Sequence, residues 1–183
     1  MNQPGLPAFA RRVHFIEDRV TALEGAVDAV QSATGASWVA AYTPDGDGLF
    51  TLAAAAGDMP FDTLDAVDHD DALMVALRAE RDVLDAPAGS VLAGTLALPF
   101  VAAGRITGLM VAGPVPYAYT DAERETLMSI ASAVGLALEV LQGHALRREL
   151  ARCRERADWA ERELAVLHRA LDGPLMTAAL ERY

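Results

Sequence analysis

Apolar residues recur at alternating steps of four and three along the last third of the chain: Leu146, Leu150, Cys153, Ala157, Ala160, Leu164, Leu167 and Leu171. That 3.5-residue period is the seam of a helix built to pair with another helix. A second seam, with the same alternation, runs through Phe9, Val13, Ile16, Val20, Leu23, Val27 and Val30. Residues 7–34 are therefore predicted as one helix. Gly35 is its expected stop, because glycine takes the left-handed conformation without strain. The two pairing helices bracket a middle segment long enough to bury a proper core.

Within that segment, Trp38, Ala40 and Tyr42 alternate with Val39 and Ala41, which predicts a strand. Thr43-Pro-Asp-Gly-Asp-Gly48 is dense turn chemistry, and Leu49 to Ala56 returns as the second strand of a hairpin. An acidic stretch follows, holding Asp58, Asp62, Asp65, Asp68, Asp70 and Asp71. Leu73, Met74, Ala76 and Leu77 then give one apolar face to a short helix over 71–81, with a short strand expected at Val83 and Leu84. Thr95 to Val101 and Ile106 to Ala112 predict two strands joined at Ala103-Gly104-Arg105. The second is nearly all apolar and so expected in the middle of the sheet.

Thr120-Asp-Ala-Glu123 is a capping box that opens a long helix. Leu127, Ile130, Val134, Ala137 and Leu141 form its first stripe, expected to pack on the sheet. The stripe changes phase between Leu141 and Leu146, near Gly143. Gly173-Pro174 ends the helix. From Asp121 to Asp172 it would measure about 78 Å at 1.5 Å per residue, so its second half is expected to project beyond the domain.

The flanking charges specify how the seams pair. With Leu146 at d, the g-to-e pairs of a parallel dimer are Glu149 with Arg154, Arg156 with Glu161, and Glu163 with His168. At the N-terminus they are Arg12 with Glu17 and Arg19 with Glu24. All are complementary, the last C-terminal one when His168 is protonated, and β-branched valines at a favour two strands. The alternative is that these are solvated charges on long surface helices, each exposed pair contributing only about 0.2–1 kcal/mol. Alanines at 157 and 160 thin the seam, as suits a helix balanced between two packings.

Composition removes several function classes. The net charge is −11, which opposes nucleic acid as the main partner. The chain has no lysine, so a Walker lysine, a kinase strand lysine and a pyridoxal Schiff base are excluded. Cys153 is the single cysteine. An internal disulfide is therefore impossible, and with no secretory signal the expected location is a reducing cytoplasm. The apolar run from Val91 to Ala103 is too short for a membrane span.

Leu96-Ala-Leu-Pro-Phe100, Ala103-Gly-Arg-Ile-Thr-Gly-Leu109 and Tyr119 to Leu127, followed by Ala131, Val134, Ala137 and Leu138, together resemble a GAF domain over about residues 20–142. The resemblance implies an α+β fold: a central antiparallel sheet of five or six strands, helices on both faces, and long terminal helices. It implies a small-molecule pocket on the face opposite the first and last helices, and parallel dimerisation through those helices. The segment also looks like GAF regions just after the membrane spans of some bacterial sensors, so the chain could be a soluble piece of something longer; Met1 favours a complete chain. The expected organisation is a pairing-helix start at 1–19, a GAF-like domain at 20–142, a coiled-coil signalling helix at 143–172 and a short tail at 173–183.

Trp38, Tyr42, Thr51, Met74, Arg78, Arg81 and Thr95 are the candidate pocket residues. Arg78 and Arg81 can grip an anion bidentately, or can pair locally with the acidic stretch. The dimer-interface candidates are Val13, Ile16, Val20, Leu23, Leu146, Leu150, Cys153, Ala157, Ala160, Leu164, Leu167 and Leu171. His14, His69, His144 and His168 are scattered. His69 among its aspartates is read as a solvated helix start rather than a metal site. No metal or cofactor is expected. GAF-type methionine sulfoxide reductases and bilin-binding GAF domains use pocket cysteines, which this chain lacks, and the cyclic-nucleotide signature is not recognisable. Cys153, at d, could bridge two copies under oxidation. The expected function is a non-enzymatic, homodimeric sensory module that binds a small molecule or a downstream signalling protein. The alternatives are a dimerisation scaffold without ligand and a small redox enzyme.

Overall fold

The computed structural model describes residues 16, 18–60, 65–115 and 117–171. The chain divides into two units after Leu141. The first is a six-stranded sheet with helices on both faces, the GAF-like α+β architecture. Its elements in chain order are α1 (Arg19–Thr34), β1 (Trp38–Pro44), β2 (Leu49–Gly57), β3 (Ala66–Asp68), α2 (Ala72–Glu80), β4 (Leu84–Asp85), β5 (Leu96–Ala102), β6 (Arg105–Ala112) and α3 (Asp121–Leu171). The strand order is β3-β2-β1-β6-β5-β4, with every neighbouring pair antiparallel. β6 lies inside the sheet between β1 and β5, as its nearly all-apolar sequence predicts.

Among the described residues, α1 does not run continuously with the earlier part of the heptad pattern. Asp18 is its N-cap, with extended backbone (φ −123°), and its carboxylate accepts from the Thr21 amide and hydroxyl, each at 2.9 Å. The single helix expected across 7–34 is thereby corrected: it is interrupted at Asp18, α1 begins at Arg19, and residues 7–15 and 17 lie outside the described residues. Gly35 closes it in the left-handed conformation, φ 67°.

Two layers sandwich the sheet. On one face, Ala22, Leu23, Ala26, Val27, Val30 and Ala33 of α1 join Leu127, Ile130, Ala131, Val134 and Ala137 of α3 over Val39, Leu98, Phe100 and Met110. These spacings put one apolar stripe of each helix against the sheet. α3 comes close to the sheet at Gly135, where an added Cβ would lie 3.0 Å from the Val101 amide nitrogen. By length and composition alone one 18-residue window of α3 is apolar enough to cross a membrane (mean hydropathy 1.4); here Leu127, Ile130 and Val134 are buried in the domain.

On the other face, α2 lays Leu73, Met74 and Leu77 over Tyr42, Leu109 and Val111. Asp71 caps this helix, accepting from the Leu73 amide at 2.8 Å, and reaches across to the Val91 amide at 3.1 Å. The capping box before α3 forms as the sequence specifies: the Thr120 amide donates to Glu123 at 2.9 Å, and the Glu123 amide donates to the Thr120 hydroxyl at 3.3 Å. The carboxylate also accepts from the Thr120 hydroxyl at 2.9 Å, and the bonds it accepts from the Thr120 amide and hydroxyl hold the Glu123 carboxyl below its usual range.

Candidate functional site

The seven pocket candidates fall into three places. Trp38, Tyr42 and Met74 meet in the layer between the sheet and α2, and all three are buried. Trp38 is fixed from behind by Gly113, whose amide donates to the Trp38 carbonyl at 2.9 Å. An added Cβ there would lie 2.7 Å from the indole Cδ1, so only glycine lets the ring lie flat. Thr51 sits half-buried at the rim of the sheet, its hydroxyl donating to the Thr43 carbonyl at 3.3 Å. Thr95 is buried, but its hydroxyl donates to the Leu92 carbonyl at 2.7 Å. It borders a different cavity of about 210 Å³ together with Asp85, Tyr117, Tyr119 and Arg124. Arg78 and Arg81 are exposed on the outside of α2. They do not converge with the aromatic and methionine candidates on one lining.

The α2 layer is closed to solvent at these side chains: Tyr42, Leu73, Met74, Leu77 and Leu109 each have no exposed surface. Burial, and then the Asp65 carboxylate, pushes the Tyr42 phenol from 10.0 to about 12. As pH rises the unfolded chain therefore loses this proton first. The Tyr42 contribution to stability is complete below pH 10.0 and drains away towards about pH 12. Urea unfolding midpoints across the alkaline range are expected to fall more gently in Tyr42→Phe than in the parent. Equal slopes would exclude Tyr42 as the titrating group.

Three features escaped the sequence reading. The Arg124 guanidinium pairs with Asp85 at 2.8 Å, tying the start of α3 to β4. The Tyr117 hydroxyl donates to the Thr34 carbonyl at the end of α1, at 2.6 Å. Tyr119, two residues on, stacks edge to face with Tyr117 at 6.0 Å between centroids, and burial pushes its phenol up. Tyr-x-Tyr in an extended segment places both rings on one side, which is the signal that was available. A groove of about 690 Å³ runs beside this corner, lined by Asp82, Asp121, Arg124, Glu125 and Ser129 among others.

The His69 imidazole lies between two carboxylates, with Nδ1 3.0 Å from Asp68 and Nε2 3.3 Å from Asp70. These three side chains could hold an ion by spacing, but all are exposed. The Asp68 carboxylate is also taken by the Asp70 amide at 2.8 Å.

The seam candidates also separate. Val13 lies outside the described residues. Ile16 packs, half-buried, against the α1 layer, and Leu23 is 1% exposed within the same core. Both are thus committed inside the chain, whereas Val20 is 52% exposed. In the second unit, Leu146, Leu150, Leu164 and Leu167 are all more than half exposed, and Cys153, Ala157 and Ala160 are exposed too. The side chain of Leu171 is outside the described residues. The helix that carries them is unbroken from Asp121 to Leu171.

Residues 18–138 match the GAF domain family. The chain belongs to that family. Solved structures resemble this GAF domain in fold. The GAF domain of an Acinetobacter phosphoenolpyruvate-protein phosphotransferase aligns with TM-score 0.63 at 12% identity, covering 76% of this chain and 93% of that one. A free methionine-R-sulfoxide reductase from Neisseria meningitidis, solved with its substrate, gives 0.62 at 17%, covering 76% and 89%. The second GAF domain of DevS from Mycobacterium smegmatis gives 0.57 at 24%, covering 73% and 99%. No curated protein matches this GAF chain significantly by sequence. Membership assigns a sensory and regulatory class of module.

Proposed function

We propose that this GAF protein is a non-enzymatic regulatory module that acts as a parallel homodimer. A small molecule or a downstream signalling protein would bias the packing of its long helices. One observation carries the reading: seven apolar or small seam residues, from Leu146 to Leu167, are exposed on an unbroken helix at alternating steps of four and three. A solvated helix has no use for such a stripe, while a second copy buries it. The complementary g and e charges favour the parallel arrangement. The reductase chemistry of one structural relative is not carried over, because the sole cysteine is Cys153 on the seam.

The test is disulfide trapping in a Cys153→Ser background. Leu167→Cys is expected to crosslink to itself under mild oxidation, giving a covalent dimer on non-reducing electrophoresis. If Leu167→Cys crosslinks only to a cysteine placed at Leu146, the helices are antiparallel and the reading fails. A second reading, dimerisation without ligand, is favoured by the burial of the pocket candidates Trp38, Tyr42 and Met74. Thermal shift against metabolite pools separates the two: stabilisation supports the sensor, and none supports the scaffold.

A further inference from the structure

The domain between residues 20 and 142 contains four arginines against seventeen acidic residues. Arg124 is paired with Asp85. The other three, Arg78, Arg81 and Arg105, gather at one corner. Arg78 and Arg81 are one turn apart at the end of α2. Arg105 opens β6 just after the turn whose Gly104 faces the Arg81 Nη1; a Cβ built there would lie 4.0 Å away. All three are exposed, and among the described residues none forms an ion pair. Arg19, which opens α1, is likewise exposed and without an ion pair among the described residues, so three of the four described unpaired arginines of the first unit gather at this corner.

The backbone marks the same corner. Six glycines supply most of the left-handed positions, and the two described non-glycine residues with positive φ are Arg81 (56°) and Ala103 (48°). Glycine is the ordinary choice at a helix C-cap such as Arg81. Holding arginine in a disfavoured conformation points to a use for its side chain.

We propose that Arg78, Arg81 and Arg105 form a docking surface for a short acidic segment of a partner protein. Met74 and Leu77 of the same helix are fully buried while the three arginines are exposed, so the guanidiniums present an outer face. A single small anion would meet water-screened guanidiniums that bind weakly one at a time. An extended segment can engage all three. Val75, 54% exposed and one turn before Arg78, adds an apolar contact. Long polyanions are disfavoured by the field of the whole domain, while a short segment feels mainly charges within a Debye length. The proposal is independent of dimerisation.

The probe is a fluorescein-labelled peptide of alternating aspartate and leucine, titrated with the full chain at about 0.15 M ionic strength, where the Debye length is about 8 Å, and read by anisotropy. Saturable binding is expected, weakened by salt and by about tenfold or more in Arg78→Glu/Arg105→Glu. Arg81→Gly is the decisive single change. It relieves the backbone, so the melting temperature should hold or rise while affinity falls, which a purely structural arginine would not show. Absent binding, or equal binding by the parent and the double variant, overturns the proposal. So does an equally good lysine-leucine peptide. Full displacement by inorganic phosphate would make the corner a small-anion site. Self-association lost in the double variant would make the occupant a second copy. Either result overturns the assignment to a partner segment.

Discussion

Gly57→Ala is expected to lose about 3 kcal/mol of folding stability, a large share of what a single domain holds. Gly57 ends β2 opposite Trp38 with φ 85°. An added Cβ would collide with the Ser37 carbonyl oxygen and the Gln31 amide nitrogen, and would come within 2.9 Å of the Trp38 Cα. The oxygen and the Cα belong to backbone, which cannot swing aside as a side-chain end can. The left-handed conformation adds roughly 1–2 kcal/mol for any residue with a Cβ. Gly46 separates the two effects. Its φ is 100° and nothing lies within 4 Å of where a methyl would sit, so Gly46→Ala should cost only the conformational part. Urea unfolding of both variants measures the difference. Equal losses would mean that the β1–β2 ladder moves to make room.

Met74→Ala is expected to cost about 2–5 kcal/mol, because it deletes a fully buried side chain from the α2 layer. It also decides what that layer can do. If the remaining side chains hold their places, the variant gains an apolar cavity, and benzene or xenon should restore part of the lost stability. Unfolding midpoints with and without benzene measure both effects. A loss below about 1 kcal/mol would show that α2 collapses onto the sheet. The layer would then be adaptable, as a small-molecule sensor requires. A large loss with probe binding would describe a rigid filling, which suits a scaffold.

Most of the fold was legible because its signals were local. The Thr43–Gly48 turn cluster sets the first hairpin, the apolar run of β6 places it inside the sheet, and Thr120 with Glu123 opens α3. The missed strand β3 spans only three residues in an aspartate-rich stretch, too few to show a period. The N-terminal seam misled for a physical reason. Over four turns, a 3.5-residue stripe and a 3.6-residue stripe nearly coincide, so a face for a partner and a face for the chain's own sheet look alike. Leu23 proved to be the second kind. Asp18 was equally ambiguous, since an aspartate fits both an exposed helical position and an N-cap. The candidate site was less legible. Side-chain type suggested a shared lining for Arg78, Met74 and Thr95, but only the packing shows that they face three different surroundings. The arginine corner needs Arg105, which is brought there by a turn more than twenty residues from Arg81.

The strand order carries a consequence for how the chain acquires this fold. β1 to β3 and β4 to β6 are two sequence-local meanders, and the β1–β6 ladder stitches them together. Its pairs, such as Val39 with Ala112 and Tyr42 with Leu109, join residues about seventy positions apart. Closing so long a segment costs entropy before any contact repays it, and such non-local pairing slows folding. The outer strands β3 and β4 span only three and two residues, so each meander alone is little more than one hairpin, which is marginal in water. Folding is thus gated by one event, the meeting of β1 and β6, and on the ribosome it waits until Ala112 has emerged.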